Sequence, residues 1–213
     1  MQAKFVSAPF AAGNPIHSEL VDILSSPDYT EATIAVAWAK LSGLRLLEPW
    51  VRDFAARGNL RFLIGIDDKL ASADGLEFIL ALGGESAVVY STDGGIFHPK
   101  IYRFSGGSSA RVMVGSTNLT SGGILRNYEA STSTTLELVL EPDRAFLADV
   151  DAFLDTIWSD ATTLPLTQSL IDQLRDADIV TVEGRPSSKL PHRKTASKDA
   201  RLLGFGGTTQ RLA

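Results

Sequence analysis

His98-Pro99-Lys100, Gly115-Ser116-Thr117-Asn118 and Glu129 carry the side chains of this sequence best suited to chemistry on an anion. An imidazole is a competent nucleophile toward phosphorus. A lysine supplies fixed positive charge and an asparagine amide supplies donors to non-bridging oxygens. Together they stabilise the charge of a phosphoryl transition state. A carboxylate such as Glu129 can hold the second ring nitrogen of the histidine and fix its tautomer. Such a set can attack a phosphate diester without a metal.

The spacing suits a sheet. His98 and Lys100 stand at i and i+2, which on a strand puts both side chains on one face. Pro99 keeps the backbone between them extended. Ser116 and Asn118 repeat the spacing just after an expected strand, and Gly115 lets backbone approach a ligand closely. If the two strands are neighbours, four polar groups converge at one sheet end. Taken singly, each residue has a plainer reading: a surface histidine, turn-forming Ser116 and Asn118, a solvated glutamate.

The elements that must position them alternate in period. Strands are expected at Lys4–Ala8, Glu31–Ala37, Leu60–Ile66 and Ala87–Tyr90, and helices at His17–Leu24, Leu44–Ala56 and Ser72–Leu82. Their apolar residues recur at strand and helix spacing, with glycine stops at Gly58 and Gly83-Gly84. Alternating β and α units predict a mixed, mainly parallel sheet covered by helices, an α/β/α sandwich. The second half changes character. Strands Lys100–Phe104 and Arg111–Val114 flank a Gly/Ser loop, Tyr128–Thr132 and Leu136–Leu140 follow as two further strands, and Asp143–Trp158 and Thr167–Ala177 are expected helices. We expect a catalytic unit over 1–160, a helical extension over 161–183, and a basic, proline-punctuated linker or tail over 184–213.

The 213 residues include no cysteine, which excludes disulfides, thiolate metal sites and a cysteine nucleophile. No apolar run reaches the roughly 18–20 residues that span a bilayer. A cytoplasmic protein with no membrane partner is therefore expected. The net charge of −5 argues against whole-surface attraction to nucleic acid but not against a local basic cleft. Asp67-Asp68 reads as a turn or helix entry, and Trp38 and Trp158 as core or interface aromatics. His17 and His192 read as structural or solvated. Lys189, Arg193, Lys194, Lys198 and Arg201 read as a solvated linker with an option on nucleic-acid phosphate.

The paired motif resembles the phospholipase D superfamily, whose pattern is His-x-Lys, four residues and Asp, then Gly-Ser-x-Asn. The segments Phe97–Tyr102 and Gly115–Thr120 look most like its bacterial nucleases and restriction-enzyme catalytic domains. The resemblance covers residues 1 to about 160. One position departs: the family's Asp is Ser105 here.

The resemblance implies a metal-independent phosphodiester hydrolase, in particular a DNA endonuclease, with a role in restriction or phage defence and no cofactor. His98 would be the nucleophile, Lys100, Asn118 and Ser116 would hold phosphate, and Glu129 would orient His98. Gly115, Thr117 and Thr120 would line the substrate. The family mechanism uses two histidines, and this chain has one His-x-Lys motif. A homodimer with the active site on its two-fold axis follows, along with a further domain or subunit for any sequence recognition. Two alternatives keep the fold: a phosphodiesterase acting on phospholipid or a small diester, and a non-catalytic nucleic-acid-binding or dimerising subunit.

Overall fold

The computed structural model describes residues 1–10, 13, 15–92 and 94–184. Eight strands form one sheet: β1 (Gln2–Ala8), β2 (Glu31–Val36), β3 (Asn59–Gly65), β4 (Glu85–Val89), β5 (Lys100–Gly106), β6 (Ser109–Gly115), β7 (Glu129–Glu137) and β8 (Thr163–Pro165). They stand in the order β1-β7-β6-β5-β2-β3-β4-β8. Among the described residues, five α-helices cover the sheet: α1 (Ile16–Ser25), α2 (Leu41–Arg57), α3 (Ala73–Leu80), α4 (Glu141–Trp158) and α5 (Gln168–Asp176). Side chains of α1, α2, α3 and α5 share one large core on one face. On the other face α4 lays Leu147, Val150, Leu154 and Trp158 against the sheet.

The expected α/β/α sandwich with a mixed sheet is what forms. Its parallel part is β2-β3-β4, built from two β-α-β crossovers. Every other ladder is antiparallel. The sheet is thus less parallel than the repeated β-α units suggest, because the chain runs β5 to β6 to β7 between adjacent strands without helical crossovers.

Two expected strands around 128–140 are one continuous strand, β7. The polar run Ser131–Thr135 hides this, because it resembles a turn. Ser133 is fully buried, and its hydroxyl donates to the buried Glu19 on α1. Glu19 also pairs with Lys4 and with Arg111, the latter at 2.9 Å. A buried carboxylate with this many donors keeps its charge satisfied, so a polar strand face can sit against a helix.

Helix α2 starts three residues before the expected Leu44. The carboxylate of Glu183 accepts from the backbone N–H groups of Leu41 and Ser42 and from the Ser72 hydroxyl. An anion at a helix start satisfies otherwise orphaned donors. Nothing in the local Leu41-Ser42-Gly43 sequence signals it. The stretch read as a helical extension contributes β8, which pairs with β4, and α5, whose Leu170, Ile171 and Leu174 enter the large core. Three residues containing a proline gave no readable strand signal. Of the expected tail only Gly184 falls among the described residues; 185–213, with His192 and the basic cluster, lie outside them. No described helix is long and apolar enough to cross a membrane.

Among the described residues, helix α4 covers only part of its face. Phe5, Thr132, Val114, Ile101, Ala35, Leu63 and Ala87 form one row across the sheet, because paired residues share a face. Ala35, Leu63 and Ala87 are buried beneath Leu154. At the other end of the row Phe5 is 64% exposed and Val114 is 44% exposed.

Candidate active site

The start of β5 and the ends of β2 and β6 lie at one edge of the sheet, with the start of β7 beside them. This is the carboxyl end of the parallel strands, where open α/β sheets place their ligands. The strands stop there, and the chain leaves in loops that hold His98 and Asn118.

Trp38, two residues past β2, is the hub. The Lys100 ammonium sits 5.5 Å from the centre of its indole ring, close enough for a cation–π contact. The His98 imidazole meets it edge to face, with centroids 5.6 Å apart. Its backbone N–H donates to Asn118 Oδ1 at 3.1 Å. Lys100 also donates to the His98 carbonyl at 2.9 Å. His98, Lys100 and Asn118 therefore form one cluster around Trp38, while Ser116, the fourth polar group expected to converge, is bonded to Glu129 and Ala130 instead.

Exposure divides their roles. Lys100 and Asn118 are each 5% exposed, while the His98 ring is open to solvent. Among the described residues that ring makes no hydrogen bond, so both nitrogens are available. Because Trp38 N–H fixes Asn118 Oδ1, the amide nitrogen faces away from it and keeps its donors for a ligand oxygen. Burial pushes the Lys100 pKa below that of a free lysine, and the negative charge of Glu129 pulls part of the way back.

Glu129 stands otherwise than expected. Its carboxylate accepts from the Ser116 hydroxyl and, at 3.2 Å, from Asn127 Nδ2. No described hydrogen bond joins it to His98, so within one chain it favours the Lys100 ammonium and does not orient the ring. Ser116 also accepts from Ala130 N–H at 3.1 Å, which ties it to β7.

Three positions expected along the substrate have structural explanations. A Cβ on Gly115 would lie 2.3 Å from Ala130 O and 2.4 Å from Ser131 Cα, so the glycine is demanded by β7 packing. Thr117 is fully buried; its hydroxyl meets Ser131 Oγ at 3.1 Å, and its carbonyl accepts from the Tyr102 hydroxyl at 3.0 Å. Burial, with Glu129 nearby, pushes the Tyr102 pKa far up, so it stays a neutral donor. Thr120 Oγ1 accepts from Gly123 N–H at 2.9 Å and caps the π-helical turn Gly122–Arg126. Ser105 lies at the opposite end of β5, paired with Glu31 and bonded to Arg103. A change there leaves the cluster untouched.

Two residues of this edge were not read from the sequence as belonging to it. Trp38 has a signal in hindsight, an aromatic just past a buried strand. Asp67 has almost none. It is 9% exposed and accepts from Ser91 N–H at 3.1 Å and Phe97 N–H at 2.7 Å. Burial raises its pKa against those two amides, and Asp68 adds to the rise.

No family model and no curated protein sequence matches the chain. Solved structures do. A phospholipase D family member, Nuc, from Salmonella typhimurium superimposes with a TM-score of 0.58 at 13% identity, over 77% of this chain and 97% of that one. NucT from Helicobacter pylori gives a TM-score of 0.58 at 14% identity, over 77% and 98%. At such identities the likeness is one of architecture. The protein carries its His98-Lys100-Asn118 cluster on a fold similar to that of the phospholipase D family member Nuc and of NucT.

Proposed function

We propose that this protein is a metal-independent phosphodiesterase of the phospholipase D type that cleaves DNA. The observation that carries the reading is the convergence on Trp38 of an exposed imidazole, a desolvated ammonium and an amide with free donors. His98 of one protomer attacks phosphorus and forms a phosphohistidine. The His98 of the partner subunit protonates the departing oxygen. That second imidazole then takes a proton from water, whose oxygen attacks phosphorus and releases the first histidine. Lys100 and Asn118 hold the non-bridging oxygens throughout. The likeness in fold to a phospholipase D family member supports this assignment.

A polyanionic substrate is supported by the distribution of charge. Most described lysines and arginines are ion-paired with acids. The four that are not, among the described residues, are Lys40, Arg45, Lys100 and Arg126. Lys40 follows Trp38 by two residues, Arg45 lies near the start of α2, and Arg126 ends the π-helical turn that follows Asn118. In a chain of net charge −5, the unneutralised cations lie on the segments that leave the site edge. Each of Lys40→Ala and Arg126→Ala, in a His98→Ala background, is expected to weaken DNA binding. Each should reduce the slope of log Kd against log salt by about 1, as one phosphate contact requires. Fluorescence anisotropy over a salt series measures it; unchanged slopes would remove these residues from the binding surface.

Lys100 gives the reaction an alkaline limit. Its cation is the working form, and burial lowers its pKa. The fall in kcat/KM with rising pH is therefore expected to set in below the pH at which a free lysine, at about 10.4, titrates. Lys100→Arg should move that limb upward while retaining part of the rate. A pH–rate profile from about pH 7 to about pH 11 checks the sign. The function itself is tested with plasmid and single-stranded DNA in excess EDTA. Cleavage that persists supports it; no cleavage, or cleavage lost on chelation, overturns it.

A further inference from the structure

We infer that Asp67 is a positioning residue for His98, holding the imidazole at the site through both ends of the loop that precedes it. The inference rests on reading His98 as the nucleophile. The chain leaves β4 at Val89 and re-enters the sheet at Lys100. Of the described residues in this excursion, Thr92, Gly94, Gly95 and Ile96 are exposed, and His98 sits at the far end, outside any strand. A residue so placed has no ladder pairing of its own to fix it.

Asp67 supplies the tie. It lies two residues past β3, in the short 3-10 turn Asp67–Lys69. One carboxylate oxygen accepts from Ser91 N–H, where the excursion begins, at 3.1 Å. The other accepts from Phe97 N–H, where it ends, at 2.7 Å. One rigid planar group thus closes the loop, and charge-assisted bonds of this kind are stronger than neutral ones. The neighbouring contacts extend the hold. Phe97 packs with Ala35, Leu63 and Val89 beneath α4. A Cβ on Gly65 would lie 3.0 Å from the Phe97 ring and 2.7 Å from Ala37 O, so β3 backs directly on this segment. Ala37 N–H donates to Pro99 O at 3.0 Å on the other side of His98. The imidazole itself meets the Trp38 ring in a T-shaped contact and makes no hydrogen bond among the described residues.

Asp68 next door is exposed, with φ of 62°. It accepts nothing from the loop among the described residues. Asparagine tolerates that backbone, so Asp68→Asn serves as a matched control.

The wild-type protein gives the first test. Hydrogen exchange followed by NMR should find the Phe97 amide protected, although it lies in irregular chain beside exposed residues; free exchange at Phe97 would overturn the tie. The second test compares Asp67→Asn with Asp68→Asn. Asp67→Asn keeps the size but replaces one acceptor by a donor facing an N–H. Its kcat on DNA should fall by about 10- to 100-fold, the effect of a modest misplacement of a reacting group. KM should stay within about twofold, since substrate contacts are untouched. The His98 ring signals should shift or broaden while those of His17 do not, and Asp68→Asn should match wild type in both readouts. An Asp67→Asn protein with wild-type kcat and an unmoved His98 signal would overturn the inference. Should Asp67→Asn fold poorly, the wild-type Phe97 exchange rate still decides. If wild type cleaves no DNA, the functional reading falls, while the exchange and ring signals still report on Asp67.

Discussion

Alanine at position 98 is expected to lower DNA cleavage by about 10⁴-fold or more while leaving DNA binding within about twofold. The magnitude follows from the role: removing a covalent nucleophile forfeits the whole two-step path and leaves only positioning and electrostatics. Binding should survive because the ring makes no hydrogen bond to any described residue and supports no neighbour except through its edge on Trp38. Lys100, Asn118 and the unpaired cations remain. Three measurements define the outcome: gel-based cleavage in excess EDTA, binding by anisotropy, and a search for an acid-labile phosphorylated intermediate in wild type after rapid quenching. A His98→Ala protein that cleaves at the wild-type rate would remove the nucleophile from the scheme. A wild type that binds DNA but never cleaves it would favour the non-catalytic alternative, in which the same edge serves only to hold phosphate.

The second large effect concerns assembly. One His-x-Lys motif per chain supplies one imidazole, and the two-step scheme needs two. We propose that the second imidazole comes from another copy of the chain, docked on the exposed end of the row on the α4 face. Phe5, 64% exposed, and Val114, 44% exposed, share one row, and Phe10 and the 84% exposed Tyr128 pack edge to face at 5.8 Å. Val114 immediately precedes Gly115-Ser116, and Tyr128 immediately precedes Glu129. Exposed apolar side chains of this kind mark contact surfaces, and we propose that a second copy of the chain covers them. The double variant Phe5→Glu/Val114→Glu is expected to convert dimers to monomers in analytical ultracentrifugation. It should also lower kcat by about 100-fold or more, since general acid catalysis is lost with the partner. Its fold should stay intact, because both side chains are already exposed. A wild-type protein that is monomeric and active would end the shared-site scheme. A monomer that cleaves vesicle phospholipid and needs Phe5 to bind the vesicle would instead favour the lipid alternative, which requires an apolar rim of this kind.

Much of the site was legible because its residues act over short spacing. The two-residue period of His98 and Lys100 leads both to Trp38; of the second pair only Asn118 joins them, while Ser116 turns to Glu129. The α-helical cover was legible for the same reason, from apolar residues recurring along α1 to α5. What escaped is long in range. The role of Glu129 depends on which neighbour its carboxylate meets after the sheet has assembled, and it meets Ser116 and Asn127. Thr117 and Thr120 resemble ligand-facing hydroxyls until burial and a helical cap claim them. The unity of β7 is masked by serines and threonines that only a buried Glu19, on a distant helix, makes compatible with a core. Asp67 resembles a turn former, and its partners Ser91 and Phe97 lie 24 and 30 residues away.

The carboxylate that caps α2 has a consequence for biosynthesis. Glu183 lies 142 residues beyond the Leu41 amide it satisfies. A ribosome that has released the parallel strands has therefore not yet supplied the anchor for the helix whose start adjoins Trp38. Contacts of such separation are slow to form, since the intervening chain must first be ordered. The start of α2 is finished late, after nearly all of the described chain has emerged, and until then the backbone donors of Leu41 and Ser42, close to Trp38, lack their carboxylate partner.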